Sequence, residues 1–306
     1  MEIAAIRPAE RGFAIVLVIW VLALLALLAA GVAADYRSDA VVARNRLDAA
    51  QARALADAGV NLAILEILDP NPPTPLRPDG STQTLQYGDQ TIAVVIEDEG
   101  GKIDLNLAPI ELIGGLLDEF GASADEHAAV LAGILDRRQA AAANASAPQR
   151  FFAGAAAQRT DLSKLAFADV SELRLLSGMT RGTYERIKPY LTVYAQSQTI
   201  NPQTAARATL LAIPGVSPQE VEFLLASRGQ SLDNNAAKPT LSGVERYVGQ
   251  TPLRAATIIA AASTPQGAFF AREAIVTLAP NLGGNFQIVQ WRQLVGPSPS
   301  LAATLG

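Results

Sequence analysis

The sequence has no cysteine and a single histidine, His127. Disulfides, thiolate nucleophiles and cysteine-ligated zinc are therefore excluded, as is any site built on two imidazoles. Aromatic residues make up only 6% of the 306 positions and charged residues only 17%. The 24 Lys and Arg are outnumbered by 29 Asp and Glu, a formal net charge of −5. A chain whose main partner is a phosphate backbone usually carries a concentrated positive excess, and this one does not. There is no Gly-x-Ser-x-Gly, no phosphate-binding loop, and no nucleophile spaced informatively from a base. No catalytic or cofactor-binding residue is assigned, and the expected role is not enzymatic. Proline is missing from residues 13–69, so nothing in that stretch breaks a helix.

What fills that stretch is the strongest feature of the chain. Residues 13–34 carry no charge; as a helix they span roughly 33 Å, about one bilayer core. The apolar run exceeds that of an ordinary signal peptide, although Ala29-Ala30-Gly31 could serve as a cleavage site. Arg7 and Arg11 precede the run and would stay cytoplasmic, sending the bulk of the chain across. Beyond Asp35, Leu47, Leu55, Leu62, Leu65 and Leu68 recur at about helical spacing among Arg44, Arg46, Asp48, Arg53 and Asp57. One long helix is expected, apolar below and amphipathic above, stopped by Pro70, Pro72, Pro73 and Pro75.

Short β-prone runs follow at 82–87 and 90–96, joined by Gly88-Asp89, a hairpin signal. Residues 102–105 read as a short extended piece. A helix is expected from about Pro109, capped by Asn106 or Asp104 and closed at Gly121. Another opens at Asp125-Glu126. Residues 139–158, rich in Ala, Gln and Asn, read as a weakly ordered excursion. Helical segments are expected at 184–191, 208–213 and 219–228, with a short helix at 242–247. Asp104-Leu-Asn-Leu-Ala108 faintly echoes Ile200-Asn-Pro-Gln-Thr-Ala205, which points to a construction used twice. Strand character returns at 256–262, 269–278 and 286–295. β-prone pieces thus flank a helical block, as in a small sheet interrupted by a large helical insertion.

The candidate sites are few. The helix–Pro214-Gly215-Val216–helix segment is similar to a helix-hairpin-helix, whose turn amides meet phosphate; Glu220 and Glu222 oppose that use here. His127 reads as a surface or partly buried structural residue. Glu97-Asp98-Glu99, with Asp104 nearby, is the densest acidic run. It reads as a solvated turn, with a structural calcium as the alternative and no metal residue assigned. Trp291, with the alternating Phe286, Ile288 and Leu294, reads as sheet core; a β-edge contact to a neighbouring subunit is the other reading.

A charged leader ending in Gly12, then Phe13 and an apolar helix that turns amphipathic, resembles the type IV pilin and pseudopilin class. In that class the resemblance implies cleavage by prepilin peptidase between Gly12 and Phe13, then N-methylation. Most members carry Glu at the fifth mature position; here it is Leu17. That departure resembles the K-type minor pseudopilins of type II secretion systems, which have a pilin core with a large α-helical insertion. Gly101-Lys-Ile-Asp-Leu-Asn-Leu-Ala108, Ser177-Gly-Met-Thr180, Lys188-Pro-Tyr-Leu-Thr192, residues 200–205 and Val289-Gln-Trp-Arg-Gln-Leu294 are similar to family stretches, in order. Asp136 resembles the start of another, but continues Arg137-Arg138-Gln139, which weakens any carry-over of a calcium site.

The implied fold is α+β: a transmembrane and amphipathic helix, then a small antiparallel pilin-like sheet interrupted by a large α-helical insertion. The implied divisions are a leader at 1–12, the long helix at 13–68 and a first part of the sheet at 69–105. An inserted helical domain at 106–250 and the rest of the sheet at 251–306 complete the chain. The resemblance implies a subunit at the pseudopilus tip that initiates assembly and supports export of folded proteins across the outer membrane. Its implied partners are I-type and J-type minor pseudopilins, other pseudopilins, prepilin peptidase and the inner-membrane assembly platform, with no nucleic acid. It would sit in the inner membrane by one span, its C-terminal part periplasmic. The alternative is a minor pilin of a type IV pilus or competence system, acting in adhesion or DNA uptake.

Overall fold

The computed structural model describes residues 11–294, apart from 70, 73–74, 147–164, 229–240, 242 and 280–284. Helix α1, Arg11–Leu68, runs unbroken for 58 residues, about 87 Å. Its lower part is bare: Ile15, Leu17, Trp20 and Leu28 are all exposed. Its upper part buries Ala52, Leu55, Ala56, Val60, Ala63 and Ile64, the spacing of one helical face.

That face lies on a five-stranded antiparallel sheet of order β1-β2-β5-β6-β7. The hairpin β1 (Asp79–Tyr87) and β2 (Gln90–Asp98) comes before the helical block. Strands β5 (Ala255–Ser263), β6 (Phe269–Ala279) and β7 (Asn285–Leu294) come after it. Strand β5 pairs with β2 from Ile92↔Ala262 to Asp98↔Ala256, so the sheet closes across the interruption. Val60, Ala63 and Ile64 pack with Ile92, Val94, Ile96, Ile258, Ala260, Ala274 and Val276. Small residues let the helix lie close: a Cβ on Gly59 would sit 2.6 Å from Ile92 Cγ2 and 3.0 Å from the Ala260 Cβ.

The interrupting block has its own core, from Ile103 to Tyr247. It begins with β3 (Ile103–Asp104), parallel to β4 (Leu191–Thr192). Between them lie α2 (Ile110–Glu119), α3 (Ala124–Ser146), a 3₁₀ turn Val170–Leu175 and α4 (Arg181–Ile187). A second helical hairpin follows, α5 (Arg207–Leu211) and α6 (Pro218–Arg228).

The two halves open alike. Asp104 Oδ1 accepts from the amides of Asn106 and Leu107, and Ala108 N donates to Asp104 O at 3.0 Å. Asn201 Oδ1 accepts from Gln203 N, and Ala205 N donates to Asn201 O at 3.0 Å. Ile103 pairs in parallel with Leu191, and Ile200 with Val248. The faint sequence echo is therefore one turn built twice, each time leading from an extended residue into a helical hairpin.

Four local expectations are corrected. Helix α2 has no side-chain cap: its N-cap is Pro109, while Asp104 serves the preceding turn and Asn106 exchanges two hydrogen bonds with the Phe167 backbone. Helix α3 continues through residues 139–146, because alanine has the highest helix propensity; the rest of that expected excursion, 147–158, lies outside the described residues. Residues 243–247 form turns, not a helix. Strand β7 is not sheet core: Phe286, Ile288 and Trp291 are 42, 37 and 38% exposed.

Candidate functional site

The site most elaborately built by this sequence is the joint between sheet and insertion. It occupies seven residues, 98–104, at the end of β2. Asp98 caps the 3₁₀ turn Glu99–Gly101 by accepting from Gly100 N at 2.7 Å. Its other oxygen accepts from Asn201 Nδ2 at 3.0 Å and Thr204 Oγ1 at 2.8 Å. Asn201 N donates to Gly100 O. A Cβ on Gly101 would sit 2.8 Å from the Thr204 carbonyl carbon, so only glycine allows the two backbones this close.

Glu99 is 2% exposed. It accepts from Thr257 Oγ1 at 2.7 Å, from Lys102 Nζ at 2.7 Å and from the Thr192 hydroxyl. One carboxylate thus ties β2, β4 and β5 together. Lys102 also reaches Glu97 at 2.9 Å. Burial acts to lower the Lys102 pKa, but the carboxylates of Glu99 and Glu97 outweigh it and hold it above the ordinary lysine value. Asp104, 2% exposed, accepts from Gln196 N at 2.9 Å as well as from its own turn. Burial raises the pKa of both Asp98 and Asp104 against the hydrogen bonds that favour their anions.

Asp98 and Glu99 of the acidic run are therefore buried, not solvated, and only Glu97 stays half-exposed. The sequence shows its charges but not the scattered donors, Thr192, Asn201, Thr204 and Thr257, that make burial tolerable. The same geometry speaks against calcium. The carboxylates of Asp98, Glu99 and Asp104 already face protein donors. Arg138, from α3, donates to the carbonyls of Leu105 and Ala108 at 2.9 and 2.8 Å, so a guanidinium already serves those oxygens. Its neighbour Arg137 lies over Phe167 and pairs with Glu172. Asp136 is exposed. Among the described residues no group of three His, Asp or Glu is placed to hold a metal ion. These residues do not fit Ca²⁺, which needs six to eight oxygens.

The helix-hairpin-helix segment keeps its turn amides for itself. Val216 N donates to Ile213 O. Ser217 N donates to Glu220 Oε2 at 2.8 Å and Glu220 N to Ser217 Oγ, a capping box. Arg207 pairs with Glu222, and Arg228 binds the carbonyls of Ala205 and Pro202. The segment is packing. His127 is structural too: its Nε2 lies 3.5 Å from Asp118 Oδ1, over Gly114 of α2.

The processing positions Gly12 and Phe13 fall in the first turn of α1, with Leu17 one turn above. Residues 15–32 form one helix long and apolar enough to cross a membrane.

Three comparisons bear on this geometry. Residues 98–196 match the family described as type II secretion system (T2SS), protein K. That match starts at Asp98, the first residue of the joint, and ends at Gln196, whose amide closes on Asp104. A chain of the GspK-GspI-GspJ complex from the enterotoxigenic Escherichia coli type 2 secretion system has the same fold. The TM-score is 0.52 at 15% identity, covering 83% of this chain and 99% of that one. Comparison with curated protein sequences gives no match. The apolar helix at residues 15–32 fits a single-pass, membrane-anchored protein. Over residues 98–196 the chain is thus similar to the K protein of type II secretion systems, and its fold is that of a chain of the GspK-GspI-GspJ complex.

Proposed function

We propose that this chain sits at the tip of the pseudopilus, with I-type and J-type minor subunits beneath it, and starts filament assembly. The observation that carries the reading is the large second core, residues 103–247, braced onto the pilin-like sheet by buried side chains. A head of that size obstructs stacking of a further subunit. Leu17 supports the same place: a subunit with none above it has no amino terminus to receive, and an intramembrane carboxylate kept without a partner is costly. The solved GspK-GspI-GspJ complex lends support to these partners.

In this reading residues 1–12 are removed by prepilin peptidase and Phe13 becomes the methylated amino terminus. The span lies in the inner membrane beside the assembly platform and other pseudopilins, and the head is periplasmic. The chain acts by assembly and needs no catalytic group, cofactor, metal or nucleic acid. The self-satisfied turn at 213–220 supports this over the DNA-uptake alternative.

The test is the intact mass and amino-terminal sequence of protein taken from its own membranes, with co-purification of the I-type and J-type subunits. A methylated start at Phe13 and recovery of both partners are expected. An uncut chain, or a start near residue 32, overturns the processing. DNA retention that falls steeply with salt would favour the uptake reading.

A further inference from the structure

The two halves of the insertion share more than their opening turn. In the first, the guanidinium of Arg138, from α3, comes back to that turn. Its Nε donates to Leu105 O at 2.9 Å and its Nη1 to Ala108 O at 2.8 Å, with Asp104 O 3.4 Å from Nη2. In the second, Arg228, the last residue of α6, donates from Nη1 to Ala205 O at 2.8 Å and from Nη2 to Pro202 O. Counted from Asp104 and from Asn201, the accepting carbonyls belong to the second and fifth residues of each turn. The fifth stands in both cases just before the N-cap of the next helix, Pro109 of α2 or Ala206 of α5, and neither N-cap makes a side-chain hydrogen bond. Each arginine also follows a core side chain by four residues, Ile134 or Leu224, so the packed face of the second helix delivers it to the turn.

The pairing is chemically specific. A guanidinium presents five N–H groups in one rigid plane and can span two carbonyls at once, whereas an ammonium meets them as a point charge. Burial presses on both cations, holding Arg228 down to about 10 and Arg138 below the ordinary arginine value, with Asp79 and Asp104 acting against it. Both stay charged at neutral pH, and the carbonyl dipoles offset part of the lost hydration. The turns they hold are the ones that reach the joint. The first carries Asp104, which accepts from Gln196 N, and the second carries Asn201 and Thr204, which donate to Asp98.

We propose that the opening turn of each half is a cation site of two converging carbonyls, filled by the chain's own guanidinium, and that Arg138 and Arg228 are the positioning residues that fix both turns at the joint. The two clamps belong to the head itself, whatever the head assembles with.

The test uses the full chain in detergent. Arg138→Ala and Arg228→Ala should each lower the melting temperature by about 4–10 °C. About 20 mM guanidinium chloride, far below denaturing strength, should restore roughly half of that loss or more, and sodium chloride at the same concentration should not. The unsubstituted chain, with both sites filled, should respond to neither salt. Arg138→Lys and Arg228→Lys keep the charge but not the fork, and should melt between the Ala variants and the unsubstituted chain. Amide exchange should quicken at Asn106 and Leu107 in the Arg138 variants alone, and at Gln203 and Ala205 in the Arg228 variants alone. Should an Ala variant not fold, the Lys variant and its exchange pattern decide. The clamps are overturned if guanidinium restores neither folded Ala variant, if the Lys variants melt with the unsubstituted chain, or if exchange quickens equally in both turns.

Discussion

Removing Glu99 should be among the most damaging single changes outside the two apolar cores. In Glu99→Ala, Lys102 keeps only Glu97, the more exposed of its two partners, at 2.9 Å. The hydroxyls of Thr192 and Thr257 lose their acceptor. Breaking a buried pair from one side costs about 3–5 kcal/mol, and a buried donor left without a partner about 1–3 kcal/mol. These overlap, and Glu97 offsets part of the first, so a loss of about 3 kcal/mol is expected. The chain has two tryptophans; in a Trp20→Phe background Trp291 alone reports on the sheet. Urea unfolding of the full chain in detergent, followed by Trp291 fluorescence, measures the change. Glu99→Gln with Lys102→Met completes a cycle whose coupling should be about 1–3 kcal/mol. A loss below about 1 kcal/mol, typical of an exposed ion pair, would refute the view that this carboxylate holds the joint.

Three further outcomes follow from the same geometry. Gly101→Ala sets a Cβ against the Thr204 backbone, which cannot rotate away, and should cost about 2–3 kcal/mol by the same unfolding assay. Gly59→Ala should lift α1 from Ile92 and Ala260; its clash of about 1–3 kcal/mol is only partly offset by about 1 kcal/mol of helix propensity. The Asp98 carboxyl should titrate above 3.8 by NMR, because burial outweighs its hydrogen bonds. With the folded pKa raised, its contribution is full below the unfolded pKa and fades as pH rises through the folded one. Asp98→Asn should therefore remove a component of stability that grows on acidification across that window.

The long helix was legible because apolar content, charge interleaving and the missing proline all agree over residues 13–69. The hairpin was legible because Gly88-Asp89 separates two β-prone runs, and the strands expected at 256–262, 269–278 and 286–295 for their Ile, Val, Thr and aromatic residues. The insertion's topology was readable only as an interruption. What could not be read was anything set by a partner far along the chain. Glu97-Asp98-Glu99 looks solvated until Asn201, Thr204 and Thr257 arrive from more than a hundred residues away. Leu294 looks aligned with Phe286 and Ile288 by period two, but a bulge moves it to the opposite face, where it packs near Ala93, Val95 and Ala271. A bulge has no signature in alternation alone, since it is the very place where alternation fails.

The joint also bears on how a large head can work at the end of a single helix. Were residues 98–104 a flexible tether, pushing on α1 would let the head swing. Instead three carboxylates within seven residues hold both the outgoing and the returning chain. Asp98 takes Asn201 and Thr204, Glu99 takes Thr192 and Thr257, and Asp104 takes Gln196. Each bond is sheltered from water, where hydrogen bonds are stronger and their loss costs more. The sheet they brace is in turn seated on α1 through Gly59, Ala63 and Ile64. Helix, sheet and head therefore share one continuous set of buried contacts, and a displacement along α1 reaches the head without a compliant link. That continuity explains why so many charged groups are buried at one spot: an apolar seam would hold the two cores together as well, but would let them slide, whereas directional bonds fix their relative orientation.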